Sequence, residues 1–137
     1  MKRLSTFSRS LYVANALLAF NAITAIGTGI WYLITDSCTD GCLYLGYFLC
    51  GWGLLGLVSA IFLFKKFQWA IWTGSLFFLL QTLSIISKEF YYFLDVGLRF
   101  NITISGKNSA VSFNVLAITV IIILIGSFVR EAQLEAE

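Results

Sequence analysis

Cys38 and Cys42 stand four apart in the stretch TDSCTDGC, with Asp36 and Asp40 beside them. Two thiols at that spacing can pair with each other, or with a partner protein, in an oxidising compartment. They can also serve as a redox pair. A membrane thiol oxidase would need a reactive cysteine pair in each outer loop, and the other long loop of this chain has no cysteine. Metal binding needs more ligands: the chain has no histidine, and the two aspartates are hard ligands in poor company with thiolates. Cys50 falls inside an apolar run, where a thiol acts as a small hydrophobe.

The other candidates are neutral and polar. Asn15, Asn21, Thr24, Thr28, Gln81 and Asn114 lie in otherwise apolar segments. Asn21, Thr24 and Thr28 fall on one face of a helix. Such a face either packs on a neighbouring helix through hydrogen bonds or lines a polar path. Asn15, Asn21, Thr28, Gln81 and Asn114 would be the lining of a small oligomeric channel or facilitator. No Asp, Glu, Lys or Arg lies within the apolar segments and the chain has no proline. That removes the usual means of proton relay and coupled transport and the Pro-broken helices that often build transporter sites. No catalytic, cofactor or metal site is expected, and the chain reads as a non-enzyme.

These residues need a scaffold, and composition names its solvent. The chain has 137 residues, 59% hydrophobic and 12% charged, against about a quarter charged in soluble domains. So short a chain cannot bury that much apolar surface in itself; a bilayer can cover it. Net charge is +2 without a basic patch, so nucleic-acid binding is not expected. Four segments approach the roughly 20 apolar residues of a spanning helix: 11–34, 43–64, 69–86 and 111–129. The first begins after a basic lead like that of a signal peptide, but runs on too long for a signal h-region. The expected fold is an all-α membrane protein, a four-transmembrane-helix bundle with a short β-hairpin in the outer loop between helices 3 and 4. Residues 1–137 form a single integral membrane domain, and 87–110 is the outer loop.

Lys2, Arg3, Arg9, Lys65, Lys66 and Arg130 fall on one side of this arrangement, and Lys88, Arg99 and Lys107 on the other. Cytoplasmic loops collect Lys and Arg, so both termini are expected in the cytoplasm, at a plasma or bacterial inner membrane. The uneven count also argues against dual topology.

The second segment carries Gly46, Gly53, Gly56 and Ala60 on one side, a small-residue stripe that lets helix backbones approach closely. In the third, Gln81 is the most polar side chain at membrane depth, and a Gln81–Asn21 hydrogen bond is expected. The loop 87–110 is the most individual part. Tyr91 and Tyr92 crowd an interface position. Leu98, Phe100, Ile102 and Ile104 then alternate with Arg99, Asn101, Thr103 and Ser105, the period of a half-buried strand. Gly106, Lys107 and Asn108 are turn residues, and 110–113 can pair back. Asn101-Ile102-Thr103 fits the N-glycosylation sequon. The tail after Val129 is short and helix-compatible and is expected to be solvated.

The function these features favour is a small non-enzymatic membrane protein that acts through protein–protein contacts. It would be an accessory subunit of a membrane complex or an immunity-type protein. Its partners would be the lipid bilayer and other membrane subunits, or itself. Tyr91, Tyr92, Arg99, Phe100 and Asn101 are the candidate partner-binding residues. Gly46, Gly53, Gly56, Ala60, Asn21, Thr24, Thr28 and Gln81 are the candidate helix contacts. Cys38 and Cys42 are the candidate disulfide, and a thiol redox protein resting on them is the third reading.

Overall fold

The computed structural model describes residues 4, 8–35, 40–88, 91–92 and 97–134, without the side chains of 40–42, 91–92 and 134. Its elements are α1 (Arg9–Ile34), α2 (Asp40–Phe64), α3 (Trp69–Leu79), β1 (Leu83–Ser87), β2 (Tyr91–Tyr92), β3 (Asn101–Ser105), β4 (Ser109–Asn114) and α4 (Val115–Leu134). The chain is mostly helical. Three helices, α1, α2 and α4, are long and apolar enough to cross a membrane, which supports a multi-pass membrane protein. The expected count of four spanning helices is corrected to three.

The correction lies at the third segment. α3 has 11 residues, not the 18 expected over 69–86. Its end is built locally: the Gln81 N–H donates to Phe78 O, the Thr82 N–H to Leu79 O, and the Thr82 hydroxyl to the same Leu79 oxygen at 2.6 Å. Two of the orphan carbonyls of the last turn are thus taken. LSIIS then runs as β1, where its β-branched residues are at home and a partner strand completes its ladder. The expected lone hairpin is likewise part of a larger antiparallel sheet of order β2-β1-β4-β3. Its inner strand β4 holds 109–114, so 110–113 pair back as expected and the helix start expected at 111 moves past them. α4 accordingly starts at Val115 and runs on to Leu134, so Arg130 and Glu131 belong to a helix and Glu131 is buried.

α1 begins at Ser8, whose hydroxyl oxygen accepts from the Leu11 N–H at 3.2 Å, an N-cap of the ordinary kind. α2 ends in a Schellman cap. The Lys66 N–H donates to Leu63 O and the Phe67 N–H to Phe62 O. The rings of Phe62 and Phe67 meet at 5.5 Å, the apolar contact that accompanies this motif. Lys66 sits at φ 65, a left-handed conformation that usually calls for glycine.

The core runs along one stripe of α1, through Leu11, Ala14, Leu18 and Ala22, and meets Ala60 and Leu63 of α2, Ala70, Ile71, Phe77 and Phe78 of α3, and Ala117, Val120 and Leu124 of α4. Phe48, Trp52 and Phe77 stack in succession at about 6 Å. The Ser59 and Thr73 hydroxyls meet at 2.8 Å between α2 and α3.

Candidate functional site

The small-residue stripe of α2 lies directly on α1. A Cβ added to Gly53 would stand 2.7 Å from Ala22 O and 2.9 Å from Ile26 N. One on Gly46 would meet Leu33 and, at 3.1 Å, Gly29 O; one on Gly56 would meet Phe77 and Ala22 Cβ. Gly29 was missed by sequence reasoning. A Cβ there would lie 2.8 Å from Gly46 O and 2.7 Å from Cys50 Sγ. Its signal was present in Ala22, Ala25 and Gly29, small residues at spacings of three and four. Cys50 is a free thiol whose Sγ–H donates to Ile26 O at 3.9 Å. Ala60 is buried, and lines an α1–α2 groove with Asn15, Ala19 and Lys65.

The face formed by Asn21 and Thr24 receives not a helix but the chain leading into β3. Gly97, at φ 88, lies so close to α1 that a Cβ would run into Asn21 Oδ1 and stand 2.8 Å from Thr24 Oγ1. The next residue fixes the approach: the Leu98 N–H donates to Asn21 Oδ1 at 2.9 Å. The Thr24 hydroxyl turns back to the carbonyls of Phe20 and Asn21. The expected Gln81–Asn21 hydrogen bond is therefore not formed. Asn21 Oδ1 is taken by a backbone donor, and Asn21 Nδ2 and both polar atoms of Gln81 have no partner among the described residues. Gln81 is nonetheless 1% exposed. Thr28 is half-buried.

Asn114 is the residue at which strand becomes helix. Its N–H donates to Thr82 O in the sheet. Its Oδ1 accepts from the Ala117 N–H at 3.2 Å, capping α4, and from the Phe100 N–H at 3.4 Å. β4 thus passes into α4 without a loop. The five polar residues considered as a channel lining are spread by this arrangement. Asn15 lines the groove near Lys65, while Asn21 and Asn114 hold the sheet by its backbone.

Registers separate the sheet's two faces, because directly paired residues share a side. Leu83, Phe113 and Ile102 align across three strands, as do Ile85, Val111 and Ile104. Ser84, Ser112 and Thr103 align on the other face, where the Thr103 and Ser112 hydroxyls are 2.8 Å apart. Ser84 and Asn114 on the polar face are buried, whereas Ile102 and Ile104 on the apolar face are 61% and 66% exposed.

Among the described residues β3 is an edge strand. The Gly106 N–H donates to Ser109 O and the Val115 N–H to Phe100 O. With the register Ile102↔Phe113 and Ile104↔Val111, alternation of the antiparallel ladder turns the N–H and C=O of Thr103 and Ser105 to the open side. NITIS contains no Lys, Pro or other charge of the kind that guards a bare edge. Arg99, Phe100 and Asn101, the expected partner-binding residues, are exposed at its start. Tyr91 and Tyr92 form β2, and their side chains lie outside the described residues, as do Cys38 and the Cys42 side chain. Among the described residues, no three Cys, Asp or Glu gather as a metal site. No family model, curated protein or solved structure matches the chain.

Proposed function

We propose that this chain is a non-catalytic multi-pass membrane protein that works by contact, presenting the edge of β3 to a strand of another membrane subunit. The observation that carries the reading is the edge itself. All five residues of β3 are exposed, the open side offers backbone donors and acceptors at Thr103 and Ser105, and no gatekeeper residue blocks them. Strand addition at such an edge draws affinity from main-chain hydrogen bonds and specificity from alternate side chains. Arg99, Phe100 and Asn101 extend the surface. The bias of six basic residues against three supports cytoplasmic termini and β3 on the opposite side, an arrangement in which α3 and the chain after it make the crossing that the three long helices do not.

The test compares the wild-type chain with Thr103→Pro and Ile104→Ala in mild detergent. Proline at 103 deletes an outward N–H and leaves the ladder to β4 intact. The expected result is a partner that co-purifies stoichiometrically with the wild type and with Ile104→Ala, and is lost with Thr103→Pro at unchanged helix content. A partner retained by Thr103→Pro removes edge pairing as the mode of contact.

A further inference from the structure

We propose that the sheet lies within the bilayer rather than on top of it. In this arrangement α3–β1 and β4–α4 are composite spans, helical in the leaflet nearest Lys65 and Lys66 and extended in the other. The face bearing Leu83, Ile85, Ile102, Ile104, Val111 and Phe113 meets acyl chains.

The first support is length. Eleven residues of α3 rise about 16 Å, roughly half of a 30 Å hydrocarbon core. The level at which α3 stops is fixed by its neighbours. Trp69 packs on Phe62 beside the Lys65–Lys66 turn, Gly74 faces Leu18 and Leu124, and Phe77 reaches Gly56 and Ala22. Past Ala22, α1 continues to Ile34 for about 18 Å, and α2 reaches back from Gly56 to Leu43 for about 20 Å. Those continuations carry exposed Ile30, Trp31, Ile34, Leu43 and Phe48, which need hydrocarbon around them. The space beside them, above the end of α3, is therefore bilayer. β1, with five residues, adds about 16 Å, so helix and strand together cross the core.

The second support is polarity. A sheet on a soluble surface turns its apolar face inward and its polar face to water. Here Ser84 and Asn114 are buried on the polar face, where Ile86 is 41% exposed, and Ile102 and Ile104 on the other face are open, the sidedness of a lipid-facing strand. The apolar face continues onto the exposed side of α4 at Val115, Ile118 and Ile122.

The third is the placement of charge. Lys88 and Lys107 line one cleft with Ser87, Gly106 and Asn108 at the hairpin tip, where headgroups and water would meet them, while Arg99, exposed beside Leu98 at the inner end, has to face protein or water rather than acyl chains. At the inner end of the sheet, at mid-depth, Asn21 Oδ1 accepts from the Leu98 N–H and Asn114 Oδ1 from the Phe100 N–H, so these donors of the irregular backbone have partners there. The depth of the sheet rests on the contact reading, since the outward N–H and C=O groups of Thr103 and Ser105 need a partner strand once hydrocarbon surrounds them; depth is read from the labels below and pairing from Thr103→Pro, so the two readings fail separately.

Single nitroxide labels at 102, 104 and 107, on a cysteine-free chain in phosphatidylcholine vesicles, test the proposal. Labels at 102 and 104 are expected to collide more with oxygen than with a water-soluble nickel complex, and the label at 107 to show the reverse. Nickel-accessible labels at 102 and 104 would place the sheet in water, and labels shielded from both reagents would place protein on that face; either result overturns the proposal. Should the cysteine-free chain misfold, solid-state NMR of the unmodified chain gives the same reading. Magnetisation passes from lipid methylenes to the Ile102 and Ile104 methyl groups if the sheet is embedded, and only water reaches them if it is not.

Discussion

Replacing glycines two residues apart on the same helix should move stability in opposite directions. Gly51 and Gly53 both lie in α2, and Gly27 and Gly29 both lie in α1. A Cβ at Gly51 or Gly27 meets nothing within 4 Å. Alanine there removes the helix penalty of glycine, about 1 kcal/mol in water, so these variants should be unchanged or stabilised by up to that amount. At Gly53 the new carbon stands 2.7 Å from Ala22 O, and at Gly29 it stands 2.8 Å from Gly46 O. Both obstacles are helix backbone and cannot rotate away. The α1–α2 pair must part by roughly 0.5–1 Å, and a gap of that size forfeits a quarter to a half of each affected dispersion contact. Overpacking of this kind costs about 1–3 kcal/mol, and in lipid, where apolar burial between helices supplies little drive, packing is most of what holds the pair. Gly53→Ala and Gly29→Ala should therefore each lose about 2 kcal/mol, a spread of about 3 kcal/mol from their neighbours. Unfolding of the four variants in mixed detergent micelles, followed by far-UV circular dichroism, measures the spread. Equal stability of all four, or a Gly51→Ala variant weaker than Gly53→Ala, would refute the close-approach account of the α1–α2 pair.

Three further outcomes follow from single residues. Lys66→Gly should stabilise the chain by about 1 kcal/mol, since the left-handed conformation at φ 65 costs a non-glycine residue about 1–2 kcal/mol, while Lys66→Ala should be close to neutral in the same assay. Gly97→Ala should lose about 2–4 kcal/mol, combining positive φ with expulsion from Asn21 and Thr24 and loss of the Leu98–Asn21 bond; faster exchange of the Leu98 amide is the local readout. Asn114→Ala should cost about 1–2 kcal/mol through the lost cap of α4 and should speed amide exchange at Ala117.

Three long helices were legible because each is a run of apolar residues too long to be anything else in a chain with so few charges. The strand at 101–105 was legible because period-two alternation ended at a Gly-Lys-Asn turn. The boundary inside 69–86 was not. Leu83 to Ser87 is a short apolar run, and such a run fits a buried helix or a buried strand equally well until its partner is known. The partner is 109–114, twenty-odd residues away, and its own apolar character merged it with α4. Asn21 and Thr24 were visible as a polar face, but what covers that face is a backbone segment announced only by Gly97. Gly29 could have been read from its spacing to Ala22 and Ala25. Neither Asn114 as a joint between strand and helix nor the outward amides of β3 can be seen before the register is known.

The contact reading is tested most directly by photo-crosslinking in native membranes, with a photoreactive residue at position 101 or 103 on β3 and, for comparison, at Ile122 on the exposed side of α4. The edge positions should yield one protein adduct of discrete mass, and position 122 lipid alone. No protein adduct from the edge, or the same adducts from all three positions, would contradict it.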